Sequence, residues 1–172
     1  MSRAFVHESD GDDLGDLPER PVSPHPNYVR PRGFALLQAQ AARLASERDA
    51  LRAAGEALGM KVRLATVARD LRYVEARLES AILVDAGDPS PDEVRFGTRV
   101  TLADGDGVVR RITIVGEDEA DAGADLVSWV SPLARAVLGA RAGDDVTLRR
   151  PAGDTPLTVL RVDAADDGGG IR

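Results

Sequence analysis

The stretch Leu64-Ala65-Thr66-Val67-Ala68-Arg69-Asp70-Leu71-Arg72-Tyr73-Val74-Glu75-Ala76-Arg77-Leu78 decides the fold. Leucine recurs every seven residues at 64, 71 and 78, and Val67, Val74 and Ala81 fill the position three residues further on. That 4-3 spacing draws one apolar seam along a helix, the repeat of a coiled coil. Upstream, Leu37, Leu44, Leu51 and Leu58 keep the same seven-residue step, with Phe34 and Ala41 between them until Arg48 breaks the pattern. No proline interrupts residues 32–84. Gly55 and Gly59 bracket the weak spot, and glycine is costly inside a helix but favoured just past its end. The segment therefore predicts two helices of about 24 residues each, reaching roughly 36 Å at 1.5 Å per residue. Joined near Gly55–Met60, they fold back as an antiparallel hairpin with its tip near residues 55–61. A long parallel dimeric coiled coil is the alternative; the glycines and the register break oppose it.

The flanks differ in kind. Residues 1–31 have few apolar side chains and prolines at 18, 21, 24, 26 and 31, which reads as an extended or disordered arm. Its bland reading is a solvated tail. Its other reading is a docking peptide, because Pro21-Val22-Ser23-Pro24-His25-Pro26-Asn27-Tyr28 combines stiffness with an aromatic anchor. Residues 85–91 are a linker by composition. Beyond them, Val94 to Leu102 alternates as a strand does, Asp104-Gly105-Asp106-Gly107 signals a turn, and Val108 to Val115 returns. Ser131-Pro132 starts a short helix that buries Leu133, Ala136, Val137 and Leu138 and stops at Gly139. Val146–Leu148 and Leu157–Val162 supply two further strands. Residues 92–163 thus form a small antiparallel β domain with one short helix, and 164–172 a flexible tail. The fold class is α+β: an N-terminal antiparallel coiled-coil hairpin followed by that domain.

Composition narrows the function. The chain has 172 residues, no cysteine and a net charge of −7. Disulfides, thiolate metal sites and cysteine catalysis are excluded. Only His7 and His25 supply imidazole, both in the arm. An acidic chain without a dense basic stripe is a poor binder of naked duplex DNA, so no strong independent DNA binding is expected. No apolar run approaches the ~18 residues of a membrane span, and the first residues lack a signal-peptide core, so the expected compartment is the cytoplasm. Lys61 is the only lysine among 22 basic residues, a compositional bias toward arginine.

A slender hairpin on a rigid base has the shape of a probe, and here the residues resemble a family. Ile114-Val115-Gly116-Glu117-Asp118-Glu119-Ala120-Asp121, followed by Ser131-Pro132-Leu133-Ala134-Arg135-Ala136-Val137-Leu138-Gly139 and Gly143-Asp144, is similar to the C-terminal domain of bacterial Gre transcription elongation factors. Arg30-Pro31-Arg32-Gly33-Phe34 with Leu37 resembles the family's Gly-aromatic-x-x-Leu opening of the first helix. Arg72-Tyr73-Val74-Glu75-Ala76-Arg77-Leu78 resembles its aromatic-x-Glu-x-Arg segment in the second. The resemblance covers residues 30–163. It implies that the β domain has the FKBP-like fold without isomerase chemistry. It implies docking on the secondary-channel rim of core RNA polymerase through the loop before the short helix, Trp129, Val130, Ser131 and Pro132; the chain is expected to be a monomer. It implies that the hairpin enters the channel and sets its tip near the polymerase's catalytic Mg²⁺, the chain itself carrying no cofactor and being no enzyme. In active members, tip carboxylates help hold a second metal and an attacking water.

The tip departs from that pattern. Active members carry Gly-Asp-Leu-x-Glu-Asn; counted back without a gap from Tyr73, the matching run is Glu56-Ala57-Leu58-Gly59-Met60-Lys61. Ala57 stands at the Asp position and Met60 at the Glu position, while Leu58 survives. Glu56 is one residue early, and one residue turns a helical side chain by ~100°. Lys61 and Arg63 add positive charge where a second Mg²⁺ would sit. The expectation is a divergent member that modulates transcription with weak or no transcript cleavage. The alternatives are a cleavage factor using Glu56 and a coiled-coil interaction module unrelated to polymerase.

Other chemistry is thin. Glu117, Asp118, Glu119, Asp121 and Asp125 form an acidic cluster without the ligand ladder of an EF-hand, and read as a solvated loop. Ser131 is a cap, not a nucleophile, and Asp104–Gly107 lacks the lysine of a phosphate loop. Trp129 is either core or a contact point, and Met60 either fills an apolar gap or touches a partner.

Overall fold

The computed structural model describes residues 17–55, 57–85 and 91–165. Helix α1 spans Pro31–Ala53, and α2 spans Leu58–Glu79. Pro31 occupies the first turn of α1, where its missing N–H costs nothing. The helix stops before Gly55, whose φ of +108° is a left-handed conformation that a side chain would oppose. The connection is therefore only residues 54–57, tighter than the sequence indicates. Gly59, Met60 and Lys61 lie in the first turn of α2 and not in the loop.

The leucine seams meet as the spacing requires. Leu37, Leu44, Val67, Leu71 and Val74 are buried together, with Phe34, Ala41, Leu51 and Leu78 packed around them. Where Arg48 interrupts the first seam, Glu47 reaches across to accept from Arg63 Nε at 2.8 Å. Since Glu47 is near the end of α1 and Arg63 near the start of α2, the helices run antiparallel.

The arm, read as extended or disordered, is described from residue 17 on and runs without helix or strand as far as residue 27. Tyr28–Val29 form a short strand, β1, parallel to β2 at Ile82–Leu83. Asn27 and Arg30 are buried. Asn27 Nδ2 donates to the carbonyl of Arg77 at 2.7 Å, satisfying one of the acceptors that a helix end leaves open. Ile82 N–H donates to Asn27 and Val84 N–H to Val29, so the chain entering the hairpin is tied to the chain leaving it.

The remaining strands are β3 (Thr98–Asp104), β4 (Val109–Val115), β5 (Leu126–Ser128), β6 (Asp145–Leu148) and β7 (Thr155–Ala164). They form one sheet in the order β5-β4-β3-β7-β6. The sheet is mixed, not wholly antiparallel, because β5 adds parallel to β4 at its edge. β3 begins at Thr98 and not at Val94: Gly97 turns the chain with φ +83°. Val94 still belongs to the core, exchanging backbone hydrogen bonds with Gly139 and Ala140. The short helix α3 spans Pro132–Val137, and it buries Ala134 and Val137 while Leu133, Ala136 and Leu138 remain half-buried. Asp104 closes the β3–β4 turn by accepting from the N–H groups of Asp106 and Val108.

Two apolar cores result. The domain's core joins Val100, Leu102, Ile112, Ile114, Val137 and Val159 and shares no residue with that of the hairpin. The hairpin is therefore not laid flat on the sheet. Among the described residues, no helix is long and apolar enough to cross a membrane. Residues 86–90 of the linker and 166–172 of the tail lie outside the described residues.

Candidate functional site

The hairpin is held at its base by ion pairs. Arg30, the residue before α1, donates through Nε to Glu119 Oε2 at 3.1 Å, and the two side chains are 3% and 2% exposed. Arg77 of α2 is 1% exposed and pairs with Asp118 and with Glu117, the latter at 3.5 Å. Tyr73 donates its hydroxyl to Asp118 at 2.7 Å. Burial, then the bond to Asp118 and its charge, push the Tyr73 phenol above its ordinary range. Glycines make the approach possible. A Cβ on Gly33 would meet Glu119 Oε2 at 2.8 Å, and one on Gly116 would meet the Tyr28 carbonyl at 2.5 Å. The acidic run after β4 is thus no solvated loop: its first three residues grip both helices. Sequence reasoning missed these partners because they lie 40 to 89 residues apart, beyond any local period. Asp121 and Asp125 take no part; Asp121 accepts from Gly123 N–H, and Asp125 adopts φ +55°.

The loop before α3 is built as a cap. Ser131 Oγ accepts from Ala134 N–H at 3.1 Å, and Pro132 takes the first helical position. Val130 N–H donates to Ser128 Oγ at 3.4 Å. Trp129 is half-buried, and the arm lies on it: the Tyr28 and His25 rings meet the indole edge-on, with centroids 5.0 Å and 6.0 Å away. Arg135 of α3 approaches His25 Nε2 at 3.5 Å. The aromatic anchor read as a partner-docking peptide therefore docks on its own chain. His7 lies outside the described residues. Trp129 Nε1 and Asn27 Oδ1, one beneath the arm and one within it, are buried without a hydrogen-bond partner among the described residues.

At the far end, Ala57 is the N-cap of α2 and offers no side-chain bond to the first turn. Met60 is half-buried and, with Leu51, Arg52, Gly55, Lys61 and Leu64, lines a shallow cavity. Lys61 and Gly59 are exposed. Glu56 lies outside the described residues. The nearest described carboxylates are engaged: Glu47 by Arg43 and Arg63, Asp49 by Arg48 and Arg52. Asp70, further along α2, pairs with Arg69 and Arg20. Among the described residues, no three His, Asp or Glu side chains group as metal ligands. The structure thus brings together the base motifs, Arg30–Phe34, Tyr73–Arg77 and Gly116–Glu119. It keeps the tip residues and the Trp129–Pro132 loop as separate sites.

Comparison with known proteins gives one consistent finding. The family model described as transcription elongation factor, GreA/GreB, C-terminal, matches residues 88–164. The transcription elongation factor GreB of Neisseria meningitidis serogroup A is 40% identical over 110 residues, which cover 63% of this chain and 68% of that protein. The transcription elongation factor GreA of Sphingopyxis alaskensis is 34% identical over 144 residues, covering 76% of this chain and 91% of that one. Among solved structures, the transcription factor Gfh1 aligns with a TM-score of 0.39 at 22% identity, over 80% of this chain and 97% of that one. A GreA/GreB factor from Nitrosomonas europaea aligns with a TM-score of 0.39 at 21% identity, over 79% and 98%.

Proposed function

Because the chain belongs to the GreA/GreB family of transcription elongation factors, we propose that it binds core RNA polymerase at the rim of the secondary channel and modulates transcription with little or no stimulation of transcript cleavage. In this reading the domain docks through Trp129–Pro132 and the hairpin enters the channel. The helices of 23 and 22 residues give a reach of roughly 34 Å. The ion-paired base keeps the hairpin's direction fixed relative to the docking loop.

The observation that carries the second half is the tip. Ala57 and Met60 occupy the positions where cleavage-active members hold a carboxylate pair, and every described carboxylate nearby is neutralised by arginine. A divalent ion bridging an attacking water needs anionic oxygen ligands. An alanine and a thioether supply none, and Lys61 opposes the ion's charge. By sequence, Glu56 is the one tip carboxylate left, a residue early for the role.

The test is a binding competition. The chain is expected to bind core polymerase and to be displaced by a cleavage-active Gre factor. Absence of a complex, or a complex that the active factor does not displace, would favour an interaction module unrelated to the channel.

A further inference from the structure

We propose that the cavity between the start of α1 and the outer face of β3 and β4 is a binding site for the diphosphate group of a small phosphorylated ligand. The cavity measures about 300 Å³ and is lined by Arg30, Arg32, Arg99, Arg111, Thr113 and Asp125, among others. That volume is at the lower end of small-molecule sites and suits a compact group.

The sheet register explains how the charges converge. Arg99 of β3 faces Thr113 of β4, and Arg111 lies two residues before Thr113 on the same face. Their neighbours Val100, Ile112 and Ile114 point the other way, into the core. Arg99 and Arg111 are therefore diagonal neighbours on the outer face, two like charges close enough for one anion to bridge. Arg32 closes the cavity from the start of α1.

In a chain of net charge −7, carboxylates to neutralise these arginines are plentiful. None does so. Arg32, Arg99 and Arg111 have no ion-pair partner among the described residues, whereas Arg30 is neutralised by Glu119. Asp163 stands opposite Arg99 in β7 but accepts from Arg161 at 2.7 Å. Asp125 is the only carboxylate in the lining. Three uncompensated guanidinium groups against one carboxylate leave a local surplus of positive charge. Guanidinium is planar and donates in pairs, the geometry that phosphoryl oxygens accept best. The acidity of the whole molecule repels an extended polyanion such as a nucleic-acid backbone, whose charge extends beyond the cavity. A compact diphosphate meets only the local field.

The probe is inorganic pyrophosphate, titrated into the full chain by calorimetry without divalent metal. Saturable binding is expected, about tenfold tighter than that of inorganic phosphate, because two phosphoryl groups engage more guanidinium forks than one. The double variant Arg99→Gln/Arg111→Gln is expected to lose about tenfold or more, and Arg149→Gln, on an exposed residue away from the cavity, to lose nothing. Pyrophosphate is also expected to raise the melting temperature of the parent and not of the double variant, a readout independent of heat of binding. No saturable binding at millimolar pyrophosphate, equal binding by the double variant, or tighter binding of a single-stranded RNA oligonucleotide would each overturn the proposal.

Discussion

The two ends of the hairpin are built on opposite terms. At the base, Arg30, Tyr73 and Arg77 meet Asp118 and Glu119 in a buried, charge-paired contact that glycines at 33 and 116 make room for. At the tip, Ala57 leaves α2 uncapped, Gly59 stands exposed in its first turn, and no described carboxylate is unpaired. The base is built from side chains that satisfy one another, whereas at the tip Ala57 and Met60 offer no charged group to any partner. Under the proposed function, orientation of the hairpin and chemistry at its end are separable properties, and this chain keeps the first without the second.

The contrast can be broken most forcefully at the base. Glu119→Ala leaves the Arg30 guanidinium buried without its partner, and losing one member of a buried pair costs about 3–5 kcal/mol. Urea denaturation should show that loss; a change below about 1 kcal/mol would mean the pair is not a structural joint. Gly116→Ala drives a methyl group into the Tyr28 carbonyl and should destabilise by about 1–3 kcal/mol. At the tip the sign reverses. A Cβ at Gly59 meets nothing within 4 Å, so Gly59→Ala should stabilise by about 0.5–1 kcal/mol. A destabilising Gly59→Ala would mean that the tip is packed more closely than its open surroundings show.

The base also carries a pH signature. Burial and Asp118 hold Tyr73 in its neutral form in the folded chain, so its phenol ionises above the range it has when unfolded. The stabilisation is complete below the unfolded phenol's pKa, about 10, and is lost as pH rises through the raised folded value. Absorbance of tyrosinate should therefore appear at higher pH in the parent than in Asp118→Asn, with no effect of this group at neutral pH. The shift is the smallest of these effects and sharpens the comparison, because among the described residues the tip holds no tyrosine bonded to a carboxylate.

Some of this was legible in residue order and some was not, for physical reasons. The seams of Leu37 and Leu44 against Val67, Leu71 and Val74 have a helical period, so the hairpin can be read directly. Ser131-Pro132 marks the start of α3 because cap chemistry is local. Strand β5 is three residues long and docks at a sheet edge, too short for alternation to register. Glu117-Asp118-Glu119 looks like a solvated run because composition alone cannot reveal Arg30 and Arg77, which tertiary structure brings from afar. The arm's contacts are hidden for the same reason: prolines signal extension, but not that Asn27 closes the end of α2 or that His25 and Tyr28 lie on Trp129.

The central claim is that this hairpin ends without the chemistry its relatives use. Backtracked elongation complexes assayed for shortening of the RNA 3′ end test it most directly. The chain should give no more shortening than polymerase alone, and Ala57→Asp/Met60→Glu, which restores two carboxylates at the tip, should accelerate it severalfold or more. Rapid shortening by the parent chain that disappears in Glu56→Ala would contradict the account.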